Sequence, residues 1–151
     1  MKVAVDSGVL VSAYAGHGPS QDACIRAIET VLGDGVMVLT ATVLTDFVDT
    51  VTDPRRFENA PTLDEAVALC NSFAASSNVE IAEIDADDFV AAFALIRDHG
   101  LDRDQITDAL QAARLRRLGI SKLLTDNVAA FEQFGFIDAV DPADPTYPAV
   151  T

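Results

Sequence analysis

Short apolar runs that end at a polar residue alternate along this chain with longer segments of helical periodicity. Lys2–Val5 is a run of this kind, followed by Asp6, and residues 36–39 form another. Such runs are typical of parallel strands that are buried on both faces. Helical segments between them supply the crossovers that parallel strands need. The alternation therefore predicts an α/β fold, with a central parallel sheet and helices on both faces.

The same alternation of predicted strands and helices continues along the rest of the chain. Further strands are predicted at 79–84, at 122–124 and in a short closing segment near Phe136. Helices are predicted at residues 8–15, 20–32, 41–51, 62–75, 85–99 and 104–118. Thr62 and Glu65 have the spacing of a capping box, while Asp85 and Asp104 are expected to cap the next two helices. Gly100 is expected to end the first of those two.

Length and composition predict one domain. With 151 residues and a hydrophobic fraction of 50%, the chain can cover both faces of one sheet. We expect the domain to span residues 1–140, followed by an extended, proline-containing tail at 141–151.

No apolar run approaches the roughly 20 residues that span a bilayer, so we expect a soluble, cytoplasmic protein. Cys24 and Cys70 lie in amphipathic helical patterns, where they serve as small apolar residues and not as a zinc site or disulfide.

The net charge of −14 argues against generic nucleic-acid binding, because phosphate contacts usually leave a basic surface. Adaptation to high salt, or a high-GC bacterial composition, would also explain this balance. A basic protein partner would be attracted at long range. Candidate RNA contacts exist, although solvated surface side chains are the favoured alternative: Arg55, Arg56, Arg114, Arg116, Arg117 and Lys122.

Four polar residues lie where a predicted strand ends or a helix begins: Asp6, Asp46, Asp108 and Asn127. In an open α/β sheet these positions converge on the crevice at the carboxyl ends of the strands. Their oxygens, with those of the neighbouring Asp126, are the donors that Mg²⁺ or Mn²⁺ prefers. Such ions activate water and neutralise charge during phosphodiester cleavage. The pattern therefore predicts a metal-dependent nuclease.

Each of these residues also has a structural interpretation. Asp6 could simply cap the first helix. Asp46 shares a polar stripe with Asp49, a possible accessory ligand, and the stripe could be a solvated helix face. Asp108 lies in a first helical turn, where the helix dipole favours an acid. Asn127 and Asp126 could cap the turn at 128–131.

Taken in order, these segments resemble the PIN-domain family and, within it, the toxins of VapC type. The resemblance rests on residues 3–11 around Asp6, 40–57 around Asp46, 108–113 after Asp108, and 119–131 around Asn127, and it spans roughly residues 2–138. It implies a three-layer PIN fold and a ribonuclease that depends on Mg²⁺ or Mn²⁺. It also implies a homodimer and a small antitoxin partner.

The sequence departs from the family pattern at three positions. Asp46 stands where the family usually has Glu, Gly8 where it often has Asn or Ser, and Asn127 at the position of the fourth acid. Asp126 could compensate for Asn127. We therefore expect an endoribonuclease that is the toxin of a type II toxin–antitoxin pair. The alternatives are a housekeeping PIN nuclease in RNA processing, or a degenerate PIN module that binds RNA or a protein without cutting.

Overall fold

A computed structural model describes residues 1–146. In this part of the chain, five parallel strands form a single sheet in the order β3-β2-β1-β4-β5. The strands are β1 (Lys2–Val5), β2 (Val36–Thr40), β3 (Val79–Ala82), β4 (Lys122–Leu124) and β5 (Asp138–Val140). The predicted α/β class and parallel sheet are confirmed.

Seven α-helices connect the strands in residues 1–146. They are α1 (Ser7–Ala15), α2 (Gly18–Asp34), α3 (Ala41–Val51), α4 (Leu63–Ala75), α5 (Ala86–His99), α6 (Ile106–Arg117) and α7 (Val128–Glu132). A short 3₁₀ turn, Arg103–Gln105, precedes α6. None of these helices is long and apolar enough to cross a membrane.

Helices cover both faces of the sheet. Successive strand residues point to opposite faces, and because the strands place apolar residues on both, each face needs to be buried. In β1, Val3 and Val5 pack against the side formed by α1 to α4, whereas Ala4 packs against α5, α6 and α7. Met37 and Val38 of β2 divide in the same way. The result is a three-layer molecule with one apolar core on each side of the sheet.

The strand order reverses direction beside β1. The chain proceeds outward from β1 through β2 to β3, and then crosses back to place β4 and β5 on the other side of β1. Such a reversal opens a crevice at the carboxyl ends of the two strands that flank it. Asp6 follows β1 and Thr125 follows β4, so both residues lie at this crevice.

Most predicted helix ends are close to the observed ones, but the cap assigned to Asp104 is wrong. Asp104 lies inside the 3₁₀ turn, whose cap is Asp102, and α6 begins after Gln105 without a side-chain cap. The predicted capping box at Thr62 is half formed. The Thr62 hydroxyl accepts a hydrogen bond from the Glu65 backbone N–H, as a capping box requires. The Glu65 carboxylate, however, accepts from the Thr62 hydroxyl and not from the Thr62 backbone N–H. Residues 147–151 of the predicted tail lie outside the described part of the chain.

Candidate active site

Asp6 lies at the carboxyl end of β1 and is also the N-cap residue of α1. Its carboxylate accepts hydrogen bonds from the Ser7 backbone N–H at 2.9 Å and from the Thr125 hydroxyl at 2.7 Å. Burial raises the pKa of Asp6, while these two hydrogen bonds act to lower it. The sequence predicts no role for Thr125, although a hydroxyl residue directly after a strand is suited to such a bond. Asp6 is thus a helix cap and a fixed carboxylate at the crevice.

Asp46 lies on the exposed side of α3 and is joined to α1 by a hydrogen bond. The Ser7 hydroxyl donates to its Oδ2 at 2.5 Å. Since Ser7 also donates its backbone N–H to Asp6, this one residue connects two of the predicted acids. A small hydroxyl residue directly after Asp6 is the sequence signal for this arrangement.

Asp108 lies in the first turn of α6 and has the most perturbed carboxyl group of the predicted set. Burial, reinforced by neighbouring negative charges, raises its pKa from 3.8 to about 6; these charges belong to Asp6, Asp46, Asp104 and Asp126. Asp104 is a near neighbour on the same chain segment. The other three come from β1, α3 and the end of β4, so four distant segments bring their carboxylates into one electrostatic environment.

Asp126 and Asn127 follow β4, but their side chains have different surroundings. The Asp126 carboxylate lies against α1, where a Cβ on Gly8 would be 2.5 Å from each of its oxygens. Its charge also contributes to the raised pKa values of Asp6 and Asp108. The Asn127 backbone N–H donates to the Thr125 hydroxyl at 3.0 Å, and its side chain makes no capping bond to α7. The structure thus brings Asp126 toward the other acids.

We refer to Asp6, Asp46, Asp108 and Asp126 together as the acidic site. Its donors are carboxylate oxygens, the type that Mg²⁺ and Mn²⁺ prefer, and a cation would relieve the repulsion among them. Within residues 1–146, however, no three His, Cys, Asp or Glu side chains are grouped so that they could hold a metal ion. The donor chemistry therefore fits a divalent cation, and the side chains would need to draw together around it.

A groove of about 750 Å³ adjoins the acidic site at Asp46. Its walls come from α3, from the segment that joins β3 to α5, from the first turn of α5, and from the first two turns of α6. The charged side chains that line it are Asp46, Asp49 and Glu83, and none of its lining residues is Lys or Arg. The groove is therefore complementary in charge to a basic ligand.

Two of the arginines considered as RNA contacts bind the beginning of α5. The Arg117 guanidinium is 2.6 Å from Asp85 and from Asp88, and Arg114 lies 3.7 Å from Asp88, which is fully buried (0% exposed). Arg116 covers the ring of Phe136 at 4.6 Å. These side chains join α6 to neighbouring elements, which leaves fewer cations for a nucleic acid.

No family model matches the chain, and no curated protein matches it. Solved structures share its fold. One is VapC20 of Mycobacterium tuberculosis, described as a Sarcin-Ricin loop cleaving toxin, with 18% identity, a TM-score of 0.68, and coverage of 89% of this chain and 96% of that one.

Two further solved structures have a similar fold. VapBC2 of Rickettsia felis, bound to a DNA fragment from its promoter, has 16% identity and a TM-score of 0.67, with 93% of this chain and 98% of that one covered. A toxin–antitoxin complex from Klebsiella pneumoniae has 16% identity and a TM-score of 0.62, with 93% and 97% covered. At these identities the likeness concerns the fold: the chain has the α/β PIN-like fold of the VapC toxin structures.

Proposed function

We propose that the chain is an endoribonuclease that depends on Mg²⁺ or Mn²⁺, and that it is the toxin of a type II toxin–antitoxin pair. The main observation in favour is the acidic site. The carboxylates of Asp6, Asp46 and Asp126 come from separate segments, and the charge of each contributes to the raised pKa of Asp108. Asp6 follows β1, beside which the strand order reverses. Like charges placed together in a partly buried crevice destabilise a fold, so their presence is better explained by a bound cation than by stability.

The proposed roles follow from how each side chain is held. Asp6 is fixed by Ser7 and Thr125, which suits a ligand that must hold its position. Asp108 is partly buried and is the second ligand, while Asp46 and Asp126 complete the charge of the site. Asn127 is proposed to contribute an amide to the same crevice. When bound, the cation would activate water and neutralise charge on the phosphate.

RNA is proposed as the substrate on the likeness to VapC20, a toxin that cleaves the Sarcin-Ricin loop. The net charge of −14 and the acidic groove disfavour generic nucleic acids. The proposed enzyme therefore binds RNA weakly outside its cleavage site, and recognition depends on local contacts.

A small basic antitoxin is the proposed partner. Two supporting observations are the likeness to a toxin–antitoxin complex and the acidic lining of the groove beside Asp46. A basic segment in this groove could place an arginine on Asp6, Asp46 or Asp108, where it would exclude the cation.

A homodimer is proposed as well, and sedimentation analysis would test it.

A binding module that has lost catalysis is the second candidate. It is favoured by the absence, in residues 1–146, of three acidic side chains grouped to hold a metal, and by the shorter side chain of Asp46 relative to Glu. Such a module would keep its partner or RNA ligand but would not cleave RNA at any metal concentration.

Expression in a bacterial host tests the toxin proposal. We expect the wild type to arrest growth and Asp6→Asn not to, because the variant lacks one ligand. Asp34→Asn removes the same charge from an exposed position at the end of α2 and should arrest growth like the wild type. Equal growth of wild type and Asp6→Asn would contradict the proposal, as would failure to copurify a small basic protein encoded beside the chain.

A further inference from the structure

The first turn of α1 contains a glycine that leaves room for a carboxylate. A Cβ built on Gly8 would lie 2.5 Å from both Asp126 oxygens and 2.7 Å from their carbon, closer than real Cβ atoms approach. The backbone does not require glycine here, because the positive φ angles within residues 1–146 are at Gly18, Gly100, Gly119 and Gly135. What Gly8 provides is therefore space for the Asp126 side chain.

The loop after β4 directs Asp126 into this space. Thr125 is anchored by its hydroxyl, which donates to Asp6 and accepts from the Asn127 N–H. Asp126 stands between these two anchored residues, and its charge acts on both Asp6 and Asp108. Its neighbour Asn127 contributes its backbone N–H to this loop through the bond to Thr125, and not its side chain.

We infer that Asp126 supplies the fourth carboxylate of the acidic site, and that Gly8 is the positioning residue that admits it. This inference rests on the proposed function, and it explains two departures from the family pattern together. An amide at Asn127 lowers the charge of the site, and the adjacent acid restores it only where position 8 has no side chain. The alternative is that Asp126 merely interacts with the positive end of α1.

The test is titration of the metal-free full-length chain with Mn²⁺ at pH 7.5 by calorimetry. In Gly8→Ala the added methyl group should displace the flexible Asp126 side chain without disturbing the backbone. We expect Gly8→Ala and Asp126→Asn each to weaken Mn²⁺ affinity about tenfold, the loss typical of a disturbed metal site. The double variant should bind no more weakly than Asp126→Asn alone, since both changes remove the same carboxylate.

Gly33→Ala is the matched control. Gly33 is also helical, and a Cβ there would contact nothing within 4 Å, so Mn²⁺ affinity should equal that of the wild type. Thermal melting should show that all variants are folded. A purely helix-terminal role for Asp126 would change the melting temperature of Asp126→Asn and leave the affinity unchanged.

Three results would overturn the inference: wild-type affinity in Gly8→Ala, independent losses that multiply in the double variant, or a larger loss in Asn127→Ala than in Asp126→Asn. Asp6→Asn separates this failure from failure of the proposed function. If Asp6→Asn abolishes Mn²⁺ binding while Gly8→Ala retains it, the metal site stands and only the role of Gly8 is wrong. A wild type that binds no Mn²⁺ refutes both.

Discussion

Replacing Asp108 by Asn should stabilise the metal-free protein at neutral pH. The substitution keeps the size of the side chain and removes a charge that is partly buried and faces the charges of Asp6, Asp46 and Asp126. A residue that served only the fold would cost stability when replaced. An increase in stability is expected of a group that is maintained for binding a cation, at the expense of the apo fold.

The magnitude follows from the pKa of Asp108. It stands at about 6 against 3.8 for an ordinary aspartate, which corresponds to ~3 kcal/mol at most, at ~1.4 kcal/mol for each pKa unit. The side chain is partly open to solvent, so screening should reduce the gain to about 1–2 kcal/mol. In a domain of this size, that gain raises the melting temperature by about 2–8 °C.

The gain should depend on pH in a defined direction. Because the folded pKa is raised, ionisation of Asp108 costs the folded state more than the unfolded state. The cost is absent below pH 3.8, grows as the pH rises, and is complete above about pH 6. Thermal melting in EDTA should therefore show Asp108→Asn above the wild type at pH 7.5 and level with it near pH 3.5, provided that both remain folded there.

Asp34→Asn is the control for the loss of one negative charge and should show a much smaller change at pH 7.5. Added Mn²⁺ should reverse the order, because the wild type gains about 2.7 kcal/mol at a hundredfold excess over its dissociation constant. An Asp108→Asn variant that is less stable than the wild type at pH 7.5, or equally displaced at both pH values, would refute this reasoning.

Two further predictions concern α3 and α5. Asp46→Glu should retain RNA cleavage or increase it, since Glu has the longer reach, whereas Asp46→Ala should abolish it; full activity of the alanine variant would show that this acid belongs to a solvated helix face. Asp88→Asn should lower the free energy of unfolding in urea by about 3 kcal/mol or more, because Arg114 and Arg117 of α6 lose their buried acidic partner. Asp87→Asn, whose side chain is 81% exposed, should cost less than about 0.5 kcal/mol, and equal losses would contradict the account.

The fold was largely predictable because its signals are local. The apolar run Lys2–Val5, the Asp85 cap and Gly100 at the end of α5 each depend on a few neighbouring residues. The start of α6 was not predictable in this way. Asp102 and Asp104 are equally good caps in sequence, and the intervening 3₁₀ turn, with the Gln105 side chain on the Asp102 N–H, decides between them.

The candidate site was predictable only in part. That acids follow β1 and β4 can be seen in the sequence, and the topology then brings these strands together. The bond from Thr125 to Asp6 joins residues 119 positions apart, and the fit of Asp126 against Gly8 depends on packing between α1 and the β4 loop. Contacts of this kind leave no periodic pattern in the sequence. Their consequence, that the Asp126 carboxylate lies against α1 and its charge acts on Asp6 and Asp108, emerges only from the fold.

Cleavage of RNA by the purified chain is the most direct test of the proposed metal-dependent ribonuclease. Wild type, Asp6→Asn and Asp34→Asn would be incubated with a labelled structured RNA in Mn²⁺ or Mg²⁺, with and without EDTA. We expect cleavage by the wild type and by Asp34→Asn in either metal, none in EDTA, and none by folded Asp6→Asn under any condition. Cleavage by Asp6→Asn at the wild-type rate, or wild-type cleavage that persists in EDTA, would contradict the account.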